Sequence, residues 1–251
     1  MRNSYYNVVM EDLSDKKILI TGSAYRLGKI MALAAARAGA NVILHHGHSP
    51  EEALETSREI QALGRQCWIH QADLSKTDDV LRLVEEVFSY GPIFALVNNA
   101  SIFPSGGMLD TDLFTWQACM SVNLTAPYIL SQAFIQKHVQ GESGRIINML
   151  DWRAIRPGRD HFAYTISKAA LASMTQATAI AAAPDISVNA MALGAILPPS
   201  NEPRNDNILA QVPLKRWANI HEFEEVFLFL LQGPSYVNGE IIHVDGGRHI
   251  I

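Results

Sequence analysis

Seven short runs of β-branched and apolar residues alternate with longer segments of helical periodicity from Lys16 to the end of the chain. The runs are KKILI, NVILH, QCWIH, IFALVN, GRIINML, ISVNAMA and EIIHV, and the helical segments lie near residues 27–38, 50–63, 76–89, 110–139, 162–183 and 220–231. This alternation is typical of βαβ units on a parallel sheet. It predicts one α/β domain over residues 16–251, with a doubly wound seven-stranded parallel sheet and helices on both faces. Residues 1–15 are polar and aperiodic, and we expect a tail or a short arm on this domain.

Composition argues against several classes of partner. The net charge is −5 and the Lys and Arg residues are scattered, so no basic stripe is present that would bind nucleic acid. No apolar run reaches the roughly 18–20 residues needed to span a bilayer, and we expect a cytoplasmic protein without membrane contact.

The two cysteines, Cys67 and Cys119, are expected to be reduced and mostly buried. We expect no metal, because strand alternation sends His45 and His46 to opposite faces and no carboxylate or thiolate joins them.

The first strand leads directly into TGSAYRLGK, residues 21–29. Gly22 permits a tight turn and Gly28 permits close approach of the following helix, whose first N–H groups would face a pyrophosphate. Arg26 occupies the position of a third glycine and places a guanidinium within reach of a cofactor phosphate. We interpret this turn, including Leu27, as the nucleotide-binding turn of a Rossmann fold, although two glycines are also compatible with an ordinary strand-to-helix turn.

The second strand ends in NVILHHGHS, without the acidic residue that would accept hydrogen bonds from both ribose hydroxyls of NAD. Together with Arg26, this favours NADPH as the cofactor. His46, His48 and Ser49 are candidates to donate hydrogen bonds to the 2′-phosphate. A solvated polar turn is an equally good interpretation of these three residues.

Later strand ends supply further candidate cofactor contacts. Asp73 in HQADLS can accept from the adenine amino group, although an aspartate at a strand end is often only a helix cap. The other candidates are Leu74, Asn99, Ala100, Ser101, Gly194 and Ile196. A proline-rich stretch, LPPSNEPRNDN, falls within the segment of about 195–212 that we expect to be a substrate loop at the carboxyl edge of the sheet.

Tyr164 and Lys168 lie four residues apart on a predicted helix and therefore share a face. A nearby ammonium would stabilise the phenolate and lower the phenol pKa from its usual value of about 10. With TG at 21–22, NNA at 98–100, Asn123 and VDGG at 244–247, this pair resembles the short-chain dehydrogenase/reductase family over nearly the whole chain. The resemblance implies a proton relay that contains Asn123, Tyr164 and Lys168, cofactor contacts by Tyr164 and Lys168, and assembly as a homotetramer.

The fourth member of that relay is usually a serine, and the corresponding position, thirteen residues before Tyr164, holds Asp151. Three interpretations compete: a decayed site, a displaced serine, or chemistry that needs a carboxyl group. No hydroxyl residue occurs between Arg145 and Tyr164, which argues against displacement, and the retained Lys168 and Asn123 argue against decay. A carboxylate would repel the oxyanion formed from a carbonyl, whereas a carboxyl group suits a ring nitrogen that becomes basic. Reduction of a carbon–nitrogen double bond is therefore the leading prediction.

Four motifs are more specifically similar to the pteridine reductases and the bacterial dihydromonapterin reductases. They are TG-x-x-x-RLG at 21–28, NNAS-x-F at 98–103, INM-x-D at 147–151 and YT-x-x-K at 164–168. This resemblance implies a catalytic set of Asp151, Tyr164 and Lys168, a stacking role for Phe103 and a polar contact from Ser101. The substrate it implies is a dihydropterin of the biopterin, monapterin or folate type. Core packing remains an alternative for Phe103, and a carbonyl reductase or an inactive nucleotide-binding scaffold remains an alternative for the whole chain.

Overall fold

The protein is represented by a computed structural model that describes residues 10–198 and 205–251. Seven parallel strands form one sheet in the order β3-β2-β1-β4-β5-β6-β7. The strands are β1 (Lys17–Ile20), β2 (Asn41–His46), β3 (Cys67–Gln71), β4 (Ala95–Asn98), β5 (Gly144–Asp151), β6 (Ile186–Leu193) and β7 (Ile241–Val244). The fold class predicted from the sequence, a doubly wound Rossmann-type sheet, is confirmed.

Helices cover both faces of this sheet. In chain order the described α-helices are α1 (Arg26–Arg37), α2 (Pro50–Ala62), α3 (Thr77–Phe88), α4 (Leu113–Met120), α5 (Ala126–Gln136), α6 (Phe162–Ala181) and α7 (Ile220–Gln232). One core contains Met31 of α1 and Phe223 of α7, and a second contains Leu83 of α3 and Phe134 of α5. Every residue of β2 and β6 is buried, because these strands are covered from both sides.

The strand order reverses between β1 and β4. From β1 the chain adds β2 and β3 on one side, then returns to place β4 on the other side of β1. In open sheets of this kind, a ligand crevice forms at the carboxyl ends of the strands on either side of such a reversal. The glycine turn after β1 and the NNAS segment after β4 both lie at this point.

The predicted long helix over 110–139 is divided into two helices. Between α4 and α5, residues Ser121–Thr125 form one π-helical turn that contains Asn123. Pro127 has no N–H to donate to the carbonyl of Asn123 four residues earlier, so the regular helical ladder is interrupted here. The prediction of a continuous helix was wrong at this position. The wider turn places the Asn123 side chain in the buried interior.

Part of the predicted tail packs on the domain. Leu13 is fully buried in the first core, and the backbone N–H of Glu11 donates to Gln232 O at 2.7 Å. Residues 1–9 of the tail and 199–204 of the predicted substrate loop lie outside the described residues. The rest of that loop contains a 3-10 helix, Asp206–Gln211.

Candidate active site

The turn between β1 and α1 brings two backbone segments unusually close together. A Cβ atom built on Gly28 would lie 2.1 Å from the carbonyl oxygen of Gly22, so no larger residue fits without moving the turn. Gly22 has φ +62°, in the left-handed region that favours glycine. Arg26, in the slot of the absent third glycine, has φ 54° as well. A non-glycine residue held in this region costs on the order of 1 kcal/mol.

Two residues that were not predicted as cofactor contacts hold this turn. The ring of His45 accepts from the N–H of Gly22 through Nδ1 (3.0 Å) and donates from Nε2 to the carbonyl of Ala72 (3.1 Å). Burial lowers the pKa of His45 to about 4, so the ring is neutral near pH 7, as these two bonds require. Thr21 Oγ1 accepts from the N–H groups of Asn99 (2.9 Å) and Ala100 (3.0 Å), and so joins the ends of β1 and β4.

A cleft of about 430 Å³ opens above this turn. Its size is in the range of cofactor pockets. Its walls include all the candidate cofactor contacts of the first four strand ends: Gly22, Arg26, Leu27, Gly28, His46, His48, Ser49, Asp73, Leu74, Asn99, Ala100 and Ser101. The structure therefore brings these predicted residues together around one cavity.

Several polar groups in the cleft already have partners. The amide nitrogen of Asn99 donates to the carbonyl oxygens of Thr21 (2.8 Å) and Gly22 (2.9 Å), so this side chain fixes the glycine turn. Asp73 Oδ1 accepts from both the N–H and the hydroxyl of Ser75, which form a local turn. Asp73 does not cap α3, because the N-cap residue of that helix is Lys76 and no side chain caps it.

The two histidines at the end of β2 differ in exposure. His46 is buried, its Nδ1 accepts from the N–H of Ser49 (3.3 Å), and burial lowers its pKa, so it is predominantly neutral at pH 7. His48 is exposed on the loop that follows. Of the polar side chains predicted to face a 2′-phosphate, His48 is thus the more accessible histidine.

Gly194 and Ile196, two further candidate cofactor contacts, lie farther along the sheet edge. A Cβ on Gly194 would come within 2.7 Å of Asp245 Cα, so glycine is required where the end of β6 meets the segment after β7. Ile196 is buried and lines a separate, mainly apolar cavity of about 490 Å³ beside β7. Arg26 reaches this side of the cleft, since its guanidinium donates to the carbonyl of Pro198 at 2.8 Å.

Asp151 and Tyr164 form the centre of the predicted proton-transfer site. Asp151 is the last residue of β5, and its Oδ2 accepts from the Tyr164 hydroxyl at 3.3 Å. Its Oδ1 accepts from the N–H of Arg153 at 2.9 Å. Burial raises the pKa of Asp151, against the lowering effect of Arg153 and Lys168. A carboxyl group whose neutral form is favoured in this way is suited to hold a proton.

Lys168 affects Tyr164 differently from the sequence prediction. Its Nζ donates to the carbonyl of Met149 at 2.8 Å and lies 5.7 Å from the centre of the Tyr164 ring. The pKa of Tyr164 is raised well above 10, first by burial and then by the carboxylate of Asp151. The expectation of a lowered phenol pKa was wrong, because the phenol is nearly fully buried and donates to a carboxylate rather than facing the ammonium. Burial also lowers the pKa of Lys168 to about 8.

The carboxamide of Asn123 is fully used by protein groups. Its oxygen accepts from Ser101 Oγ (3.1 Å) and Ile102 N (2.9 Å), and its nitrogen donates to Ile102 O (3.1 Å) and Ser167 Oγ (3.0 Å). Asn123 therefore ties the segment after β4 to α6. A water relay at this residue would have to use its backbone carbonyl, which Pro127 releases from the helical ladder.

Aromatic rings close the outer side of this site. Phe103 is half-exposed and meets the Tyr164 ring edge-on, with centroids 4.5 Å apart. The imidazole of His161 stacks on Phe103 at 3.8 Å with an interplanar angle of 14°. The structure thus places Phe103 beside the predicted catalytic pair rather than in the core, with one of its faces covered by His161.

The described part of the chain contains neither a cluster of metal ligands nor a helix that could span a membrane. Among residues 10–198 and 205–251, no group of three or more His, Cys, Asp or Glu side chains is arranged to hold a metal ion. Within the same two stretches, none of the helices has the length and apolar character needed to cross a membrane.

A glycine turn at the sheet reversal, followed by a Tyr–Lys pair beside the end of β5, defines an oxidoreductase site of the doubly wound α/β class. Residues 16–209 match the family described as short chain dehydrogenase. The chain belongs to this family.

Three known proteins show the range of its relatives. Over 244 residues the chain is 34% identical to 2-dehydro-3-deoxy-D-gluconate 5-dehydrogenase of Bacillus subtilis. The match covers 94% of this chain and 95% of that protein. It is 31% identical to the 3-oxoacyl-(acyl-carrier-protein) reductase of Synechocystis sp., and the match covers 95% of this chain and 98% of that protein. The crystal structure of FolM alternative dihydrofolate reductase 1 from Brucella canis, complexed with NADP, matches with a TM-score of 0.90 and 31% identity, covering 96% of each chain.

Proposed function

We propose that this protein is an NADPH-dependent pteridine reductase that reduces the carbon–nitrogen double bond of a dihydropterin of the biopterin, monapterin or folate type. The observation that carries the proposal is the hydrogen bond between Tyr164 and Asp151, with a carboxyl group at the end of β5 whose pKa burial raises. The proposal accords with the similarity to a protein named as an alternative dihydrofolate reductase.

The proposed reaction assigns a separate role to each residue. The reduced nicotinamide supplies hydride to the carbon of the double bond when the cofactor is bound. Asp151 and Tyr164 together hold the proton that the ring nitrogen takes up, because the phenol and the carboxyl share a hydrogen bond. Lys168 orients the end of β5 through Met149 and would contact the ribose of a bound cofactor, and Asn123 fixes the segment that carries Ser101 and Phe103. We assign the stacking surface to Phe103, one face of which is covered by the ring of His161 in the structure.

The preference for NADPH rests on the charges around the cleft. Arg26, His48 and Ser49 line the same cavity, and β2 ends without an acidic side chain that would repel a 2′-phosphate. The FolM structure from Brucella canis was determined with NADP, which accords with this proposal.

A homotetramer is also proposed, since Phe114, Tyr128 and Ile180 of the helices α4 to α6 are exposed apolar residues. Light scattering of the purified protein measures this assembly.

A carbonyl reductase is the second candidate, because two relatives at 31–34% identity have names of carbonyl-linked dehydrogenases and reductases. When Asp151 is ionised, as it is while it accepts from the Tyr164 hydroxyl, its charge next to a developing alkoxide would raise the barrier, whereas a serine hydroxyl would lower it. A panel of dihydropterins, dihydrofolate and simple ketones, each followed by loss of NADPH absorbance, separates the two functions. Turnover of dihydropterins supports the proposal, turnover of ketones alone refutes it, and tight NADPH binding without any turnover indicates a scaffold.

A further inference from the structure

Arg153 touches both halves of the proposed site. It lies in the 3-10 turn Trp152–Ala154 that follows β5, and its side chain is only 14% exposed. One terminal nitrogen is 3.7 Å from Asp151 Oδ1, and the guanidinium carbon is 5.5 Å from the centre of the Phe103 ring. The same guanidinium lies 4.8 Å from the Trp152 ring. Arg153 thus connects the group that holds the proton with the ring on which a substrate would stack.

One donor of this guanidinium has no protein acceptor. The far end is paired, since Nη2 donates to Asp160 Oδ2 at 3.2 Å, but the Nε–H is buried without a hydrogen-bond partner. A buried donor on a charged group is costly when unpaired, and a bond from such a donor contributes about 1.5–3 kcal/mol. An acceptor atom of a bound molecule that reached this N–H would satisfy it.

We propose that Arg153 binds the substrate: its Nε–H donates to a carbonyl oxygen on the substrate ring, next to the nitrogen that takes up the proton, while its charge sets the pH range of proton transfer. This inference rests on the proposed function. In a pterin, the ring carbonyl oxygen lies beside a nitrogen of the neighbouring ring. One donor at Arg153 and a second at the Tyr164–Asp151 pair would match these two atoms. No bond to Arg153 forms or breaks. Hydride goes to carbon and the proton of the Tyr164–Asp151 pair goes to nitrogen.

The charged and titratable groups around the Asp151–Tyr164 pair come from four parts of the chain. They are Arg153, Asp160 and His161 after β5, Lys168 of α6, Cys119 of α4, and Arg248 near the C-terminus. The guanidinium of Arg153 holds the pKa values of both Asp151 and Tyr164 lower than burial alone would. Its removal raises both, so the proton is retained to higher pH. The limb of the rate profile that falls with rising pH then moves to higher pH, whichever group gives the proton.

The experiment compares three variants that change one arginine each. Arg153→Met removes the charge and the donors, and Arg153→Lys keeps the charge but lacks the Nε–H. Arg159→Met is the matched control because Arg159 is exposed on the same loop. Each is assayed for kcat and KM with a dihydropterin across pH, and for the Kd of NADPH. Calorimetry measures binding of an oxidised pterin to the enzyme with NADP⁺, and thermal unfolding confirms that each variant is folded.

Arg153→Met is expected to raise KM and the pterin Kd roughly 10- to 100-fold, the loss that follows from one hydrogen bond to a charged donor. The NADPH Kd should stay unchanged, and the alkaline limb of the rate profile should move to higher pH. Arg153→Lys should return this limb to its wild-type pH but should not restore the wild-type KM. Arg159→Met should behave as wild type. Wild-type pterin affinity in Arg153→Met, or a limb that does not move, overturns the role of Arg153. A wild-type enzyme that binds pterin without reducing it overturns the proposed function alone, because the binding comparison still tests Arg153.

Discussion

The neutral state of His45 makes the stability of the glycine turn depend on pH. The unfolded chain takes up a proton at this residue as pH falls through 6.5, whereas the folded chain resists it until about 4. This stabilisation is therefore complete above pH 6.5 and is lost progressively between 6.5 and 4. At about 1.4 kcal/mol for each pH unit in this window, moving from pH 7 to about pH 5 costs about 2 kcal/mol of unfolding free energy at this residue.

Urea unfolding at about pH 7 and about pH 5 measures this effect when wild type is compared with His45→Asn. Asparagine keeps an acceptor for the Gly22 N–H but does not titrate, so the variant should lose about 2 kcal/mol less stability than wild type over this interval. His48→Asn is the control, since His48 is exposed and should leave the wild-type pH dependence intact. Equal losses in wild type and His45→Asn would show that this histidine does not hold the turn as a neutral ring.

Two further predictions concern the cofactor cleft. Gly28→Ala places a methyl group 2.1 Å from Gly22 O and should weaken NADPH binding at least roughly tenfold, measured by fluorescence titration. Gly47→Ala, whose Cβ would come no nearer than 3.9 Å to any other group, serves as its control, and equal affinities would be evidence against the close approach at Gly28. Arg26→Met should lower the ratio of NADPH to NADH affinity roughly tenfold, through loss of a charged contact to the 2′-phosphate. An unchanged ratio would remove Arg26 from phosphate recognition.

The sequence predicted the sheet and the cofactor cleft because their signals are local. Seven apolar runs each became a strand, and the residues after the first four strands converge because the carboxyl ends of parallel strands share one edge. Gly22 and Gly28 gave a weaker signal, because two glycines are also compatible with an ordinary strand-to-helix turn. Asp151 and Tyr164 could be paired before the structure was known because both occupy positions of a recognisable family motif.

Other features depend on contacts between residues far apart in the chain. The bonds of His45 with Gly22 and Ala72 join three separate segments, and no local pattern around His45 predicts them. The raised pKa of Tyr164 follows from its burial, which spacing to Lys168 does not show. Pro127 is a local signal for the interruption at Asn123, but the prediction of a continuous helix followed the apolar pattern alone.

The substrate class rests on the carboxyl group of Asp151, and the most direct measurement is kcat/KM of Asp151→Ser with a dihydropterin and with a simple ketone. We expect dihydropterin turnover to fall roughly 10²- to 10⁴-fold, the usual contribution of a positioned acid, while NADPH affinity is retained. Asp151→Asn should show the same loss, since an amide matches the shape but cannot give up a proton in the reaction. Dihydropterin turnover at the wild-type rate in Asp151→Ser would contradict the assignment of this carboxyl group to carbon–nitrogen reduction.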